Sequence, residues 1–322
     1  MMNSVTNPVA PPNPNPAQRD HRSQIRRKIW QSRYMYLFVL PGLLYFLLYK
    51  YVPLLGSIIA FKDYSVFRGF SDSPWVGLKH FERIFANAEV VQVLINTLYL
   101  SFLQILFAFP APIVLALMLN EVRKEWLKRI IQSIVYLPHF LSWVVIVGVA
   151  TIFLRSDGLI NDMLGSWFGI SSIPFLQMPE LFKPLLVLEV MWKETGWGTI
   201  IFLAALAGVN PELYEAAVVD GAGRMRRIWH ITLPAIRSTI IILLILRLGS
   251  VLDNGFEQVF LMLNPYVMEV GNVLDTYVYY KGIEQSNFSF ATAVGLFKSV
   301  VGLILVVGAN RMAKKFGEEG IY

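Results

Sequence analysis

Long apolar blocks alternate with short polar and basic connections along the chain. The blocks fall at about 36–61, 93–119, 130–154, 185–208, 238–261 and 290–310. Each reaches the roughly 20 residues that a helix needs to cross a bilayer. The pattern predicts six spanning helices within 34–315. The first block is too long for a signal-peptide core and lacks a small-residue cleavage site, so it reads as an uncleaved span. Pro41, Lys50 and Pro53 interrupt it and predict a bend or tilt. The fourth block carries Lys193 and Glu194 at its middle, and the fifth carries Arg247, Asp253 and Glu257. Before the first block, residues 1–20 are rich in Pro and Asn with almost nothing apolar to bury. With the basic cluster that follows, 1–33 is expected to be a disordered cytoplasmic tail. Residues 316–322 form a short C-terminal tail.

Composition agrees with burial in lipid. Hydrophobic residues make up 55% of the chain and charged residues 16%, against about 25% charged in a soluble domain. Cysteine is absent, which excludes disulfides, thiolate catalysis and cysteine zinc sites. The net charge of +6 is scattered around the apolar blocks and forms no single stripe, so no nucleic-acid partner is expected.

Orientation follows from the basic residues. With the N-terminus inside, the tail, 120–129, 209–237 and the C-terminal end hold 17 Lys and Arg, and the outside loops hold seven. The imbalance predicts both termini in the cytoplasm. It also puts the loop at 209–237 inside. The outside loops, 62–92, 155–184 and 262–289, are too short for an independent domain. A soluble partner outside must be a separate chain.

The loop between the fourth and fifth blocks reads NPELYEAAVVDGAGRMRRIWHITLPAIRS. Asn210 suits an N-cap and Pro211 the first helical position. Glu212 and Glu215 lie in early turns, where the helix dipole favours negative charge. Gly221 suits the left-handed residue beyond a helix end. A second short helix is expected from about Ala222 until Pro234 interrupts it. Leu213, Ala216 and Ala217 present a small apolar face that a partner can approach closely.

Glu215-Ala216-Ala217, Gly221, Ile231 and Leu233-Pro234, with Asp220 before the glycine, resemble the "EAA" loop of binding-protein-dependent ABC permeases. The resemblance implies a type I importer permease fold, all-α and integral to the membrane. It implies that loop 210–234 docks on a cytoplasmic ATPase, with Glu215 pairing to a basic residue, Ala216 and Ala217 allowing close packing and Gly221 making the turn. The implied partners are a second homologous permease subunit, a dimer of ATPase subunits and an extracytoplasmic solute-binding protein, together with membrane lipid. No cofactor is implied on this chain; ATP and Mg belong to the ATPase. The order of spans is similar to the sugar-permease branch, and 253–302 is similar to permeases serving complex saccharides. The similarity covers about 35–315, and the whole chain resembles the first permease subunits of bacterial alginate importers. The implied location is the bacterial inner membrane. The implied cargo is an oligo- or polysaccharide, alginate or another acidic polymer being the example.

Ionisable groups inside spans face a cavity or a partner. Helical spacing would put Arg247, Asn254 and Gln258 on one face of the fifth span, and Trp192, Lys193 and Trp197 lie together on the fourth. By resemblance, these two spans supply the sugar contacts. An indole stacks on a sugar face, an amide bonds hydroxyls and a guanidinium holds a carboxylate bidentately. Internal charge pairing of Lys193 or Arg247 with Glu189, Glu194, Asp253 or Glu257 is the bland alternative, and both stay open. Asp253 and Glu257 suit a structural or gating role. Lys50 and Lys298 suit snorkelling or pairing, and His139 a satisfied interface position. Nothing fits a phosphate-binding loop, a zinc-protease helix or a nucleophile elbow, so no enzymatic chemistry is expected. The rivals are the same machine with another solute, and a scaffold or passive channel without energy coupling.

Overall fold

The computed structural model describes residues 30–317, 320 and 321. The expected tail over 1–33 falls mostly outside them. The chain divides into two compact units, Met1–Ile58 and Ile59–Tyr322. The first unit contains most of helix α1, Arg33–Phe61. Its stretch Arg33–Phe46 buries no side chain, which suits a helix bathed in lipid, where exposed Leu and Phe cost nothing. Pro53 does not end α1: a π turn at Leu47–Tyr51 precedes it and absorbs the missing donor.

In the second unit, α2 (Lys79–Ala86) leads into α3 (Ala88–Asn120). Asn87 caps α3 by accepting from Glu89 N at 2.9 Å. A π turn at Gln104–Ala108 widens α3 just before Pro110, which has no N–H to give. Helix α4 (Glu125–Tyr136) follows, then α5 (Trp143–Leu154) and α6 (Leu159–Phe168). The 29-residue α7, Pro179–Ala207, runs through the centre. Helices α8 (Pro211–Val219) and α9 (Arg224–Ala235) form the expected double-helical loop. The chain ends with α10 (Arg237–Gly249), α11 (Phe256–Met262), α12 (Leu274–Tyr279) and α13 (Phe288–Lys315). Among the described residues there is no β-strand, only an isolated bridge between Lys62 and Trp75. Among the described residues four helices are long and apolar enough to cross a membrane, or up to six if each bent pair counts as one span.

Small residues set the packing, as expected where lipid removes the hydrophobic drive between helices. A Cβ on Gly198 would lie 2.9 Å from the Pro112 ring of α3, and one on Gly302 of α13 would lie 2.6 Å from the Gly249 carbonyl of α10. Three apolar cores result. Phe182, Leu186 and Val259 join α7 to α11, with Leu100 of α3 and Val147 of α5. Ile84, Leu252 and Phe290 close one end, and Ile113, Phe202 and Ile236 the other.

Two expected spans differ from continuous helices. The block at 130–154 breaks at 137–142, where Leu141 turns extended and Ser142 starts α5 as its N-cap. The block at 238–261 breaks at 250–255, where Gly255 adopts φ +75°, a conformation open to glycine at little cost. Polar bonds hold this second break. Asn254 donates to Thr97 O and accepts from the Ser101 hydroxyl, each at 3.0 Å. Lys298 of α13 pairs with Asp275 and lies 3.8 Å from Asp253. Lys298 is thus paired, chiefly with Asp275. Removing one partner of this half-buried pair leaves the other charge uncompensated, at a cost below the roughly 3–5 kcal/mol of a fully buried pair. Lys298→Met should therefore lower the thermal midpoint of the detergent-purified protein. Adding Asp275→Asn should recover part of the loss.

Candidate functional site: a cleft and a cytoplasmic knob

A cleft of about 480 Å³ opens between α3, α5, α7 and the fifth membrane segment. Apolar side chains line most of it, with Gln104, Glu194, Trp197, Arg247, Asp253 and Asn254 among the polar and aromatic exceptions. Arg247 and Asn254 reach it without a common helical face. The break at 250–255 brings Asn254 into the wall beside the last turn of α10, which corrects the expected single face of Arg247, Asn254 and Gln258.

The Arg247 guanidinium donates to the Gln104 side-chain carbonyl, a neutral partner. Among the described residues no carboxylate forms an ion pair with it, whereas Asp253 has Lys298 and Glu194 has His139 at 2.9 Å. Asp253 shares the cleft wall with Arg247 and attracts it through space without touching it, so internal pairing survives only in that longer-range form. A guanidinium carries five N–H donors, so most stay available to a ligand. Trp197 is 45% exposed and offers one face to the cleft, because the other stacks on the His139 ring at 4.4 Å. His139 is thus a satisfied packing residue.

Lys193 and Trp192 are corrections. The Lys193 ammonium is buried and bonds the carbonyls of His139 and Leu141. Those carbonyls are freed by the break at 137–142, and the ammonium satisfies them instead of entering the cleft. Trp192 lies outside the cleft wall and is 49% exposed. Gln258 lines the cleft, yet its amide nitrogen is engaged by Leu186 O at 2.9 Å and Glu189 Oε2 at 2.8 Å. The sequence reading passed over Gln104, which sits alone among apolar residues in FLQILF and was legible as an amide needing a partner.

The loop at 210–234 is built as its caps dictate. Asn210 accepts from Glu212 N at 3.0 Å and Pro211 opens α8. The helix closes on Asp220 with Gly221 at φ +74°. Ala222 N bonds Ala217 O at 2.8 Å and Gly221 N bonds Val218 O at 3.0 Å, the paired reversal of a Schellman end. Helix α8 leaves α7 at 73°, and α9 meets α10 at 62°. Leu213, Glu215, Ala216 and Val219 are exposed, and Ala217 is half-buried. The second arm ends at Ala235, one residue past Pro234, where the chain bends by 62° into α10, as the proline led one to expect. A π turn at Ile228–Thr232 opens the backbone where its ring would collide, and the helix runs on to Ala235. Ile231 and Leu233 are half-buried on that arm.

A helical membrane chain with a capped knob on one side and a cationic, aromatic cleft within is the architecture of a transport component. The chain belongs to the binding-protein-dependent transport system inner membrane components, whose family model matches residues 108–317. It is an integral membrane permease subunit of an ABC importer with the type I fold, a transport component and not an enzyme. Protein LplB of Bacillus subtilis is 56% identical over 91% of this chain and 92% of its own length. The polygalacturonan/rhamnogalacturonan transport system permease YteP of the same organism is 53% identical, covering 95% of each. Among solved structures, a chain of a bacterial ABC transporter involved in import of the acidic polysaccharide alginate matches with a TM-score of 0.84 at 41% identity, over 91% of this chain and 99% of that one. A second, of an alginate transporter in complex with an alginate pentasaccharide-bound periplasmic protein, matches with a TM-score of 0.85 at 40% identity, over 92% and 99%.

Proposed function

We propose that this subunit forms half of the passage for an acidic oligo- or polysaccharide, a uronate polymer of the alginate or polygalacturonan kind. It works in a bacterial inner membrane beside a second homologous permease, with both termini in the cytoplasm. A dimer of ATPase subunits docks on loop 210–234, and a solute-binding protein delivers cargo from outside. The observation that carries the reading is Arg247: a guanidinium held by a neutral amide, facing an aromatic cleft, with no carboxylate in ion-pair contact with it among the described residues. The chemistry recorded for the similar proteins, acidic polysaccharides, supports it. Trp197 would stack on a sugar ring while Arg247 holds a carboxylate. Asn254 has one amide N–H left for a hydroxyl after its bond to Thr97.

Charge-assisted hydrogen bonds contribute about 1.5–3 kcal/mol, a factor of roughly 10 to 150 in binding. Arg247→Ala should reduce uptake of oligogalacturonate or oligoalginate into vesicles by about that factor. Uptake of a neutral oligosaccharide of equal length, if it occurs, should fall by no more than about twofold. Equal losses for both would remove the acidic-sugar reading.

A further inference from the structure

The two arms of the cytoplasmic loop meet at one polar contact. The Tyr214 hydroxyl of α8 lies 3.0 Å from the Thr232 hydroxyl of α9. Thr232 is buried, and its oxygen also lies 3.4 Å from Arg227 O. A threonine has one proton to donate. With that proton on Arg227 O, the Tyr214 O–H donates to Thr232. Among the described residues this is the one side-chain hydrogen bond between Pro211–Val219 and Arg224–Ala235. Arg224, 3.7 Å from Glu121, ties the second arm to the end of α3 instead.

The position of the bond matters for how movement is passed on. Thr232 ends the π turn, and Leu233 and Ile236 follow it into the core formed with Ile113, Phe202 and Leu206. From Ile236 the chain continues as α10, which ends in the cleft with Arg247. Besides the covalent path into α7, displacement of the exposed face of α8 can reach α10 through the backbone at Gly221 or through Tyr214 and Thr232. The Schellman bonds at Gly221 hold the end of α8 itself and make no side-chain contact with the second arm. A hydrogen bond into a buried side chain is stiff.

We propose that the Tyr214–Thr232 hydrogen bond is the strut that carries movement of the ATPase-facing helix to the cleft. Tyr214 is then a positioning residue for coupling and makes no contact with the ATPase. The inference rests on the reading of loop 210–234 as the coupling loop. Its signature is a change in transmission with docking intact.

The test uses the complete complex in vesicles, and the absence of cysteine in this chain helps. A fluorophore on Val219→Cys, 87% exposed, reports the knob, and one on Leu246→Cys, 52% exposed, reports the cleft. In the parent both signals should respond to ATP. In Tyr214→Phe the Val219 signal and ATPase co-purification should persist while the Leu246 response drops about fivefold, roughly the factor that one net hydrogen bond supplies. Thr232→Val should repeat that loss, Thr232→Ser should restore the response, and the double variant should be no worse than either single one. An unchanged Leu246 response in Tyr214→Phe overturns the strut. So does a loss of both signals together with ATPase binding, which would make Tyr214 a docking residue. Failure of the coupling-loop reading itself would show separately, as ATPase binding that survives Glu215→Lys.

Discussion

Gly196→Ala is expected to leave little folded permease in the membrane. Gly196 lies where α7 crosses the end of α4, and a Cβ there would stand 1.9 Å from the Val135 carbonyl oxygen and 2.5 Å from its carbon. Both are backbone atoms, so no rotamer change relieves the clash and the helices must part. Overpacked core sites usually cost about 1–3 kcal/mol, and a backbone collision should exceed about 3 kcal/mol. Separation would also disturb Trp197, the next residue in the cleft wall, and Lys193, which holds the carbonyls of the nearby break. Gly148→Ala is the control. A Cβ at Gly148 meets nothing within 4 Å, and alanine raises helix propensity by about 1 kcal/mol over glycine. Melting of the detergent-purified variants should show a large fall for Gly196→Ala and none for Gly148→Ala. Equal midpoints would mean that the crossing is looser than its geometry.

Glu215→Lys should abolish ATP-driven uptake without lowering the melting temperature. Glu215 is exposed on α8, and among the described residues no salt bridge holds it, so its charge is available to a partner. Truncating one member of a desolvated interfacial charge pair costs about 2–5 kcal/mol, a factor of roughly 30 to several thousand in affinity. Reversing the charge adds repulsion. Co-purification of the ATPase and vesicle uptake should fall together, while the isolated variant should fold like the parent. Retained ATPase binding and uptake would sink the coupling assignment and favour a channel or scaffold.

The loop that this second prediction probes was legible in advance because its determinants are local. Asn210, Pro211 and Gly221 act on dihedrals and donors within a turn of themselves, so the helix limits of Pro211–Val219 follow from neighbouring residues. The cleft was legible only in part. Trp197 and Arg247 line it as their chemistry suggested, but a helical wheel cannot anticipate that the backbone abandons the helix between them and Gln258. Lys193 misled for a related reason: an ammonium in an apolar block signals a nearby acceptor, and the acceptors turned out to be backbone carbonyls freed some 50 residues away.

The chain by itself determined that it resides in lipid, how its basic residues are distributed along it and where its capped double-helical loop lies. Block length, charge counts and cap residues are short-range properties that need no knowledge of the fold. Tertiary structure alone decided which polar side chains remain free. The amide of Asn254 is held by a carbonyl 157 positions earlier, at Thr97, and Gln258 by residues of α7. The guanidinium of Arg247 meets a neutral amide 143 positions earlier, at Gln104. Inside a membrane every polar group must find a partner. Whether that partner is the protein itself or the cargo depends on contacts between distant segments, which exist only once the helices have packed.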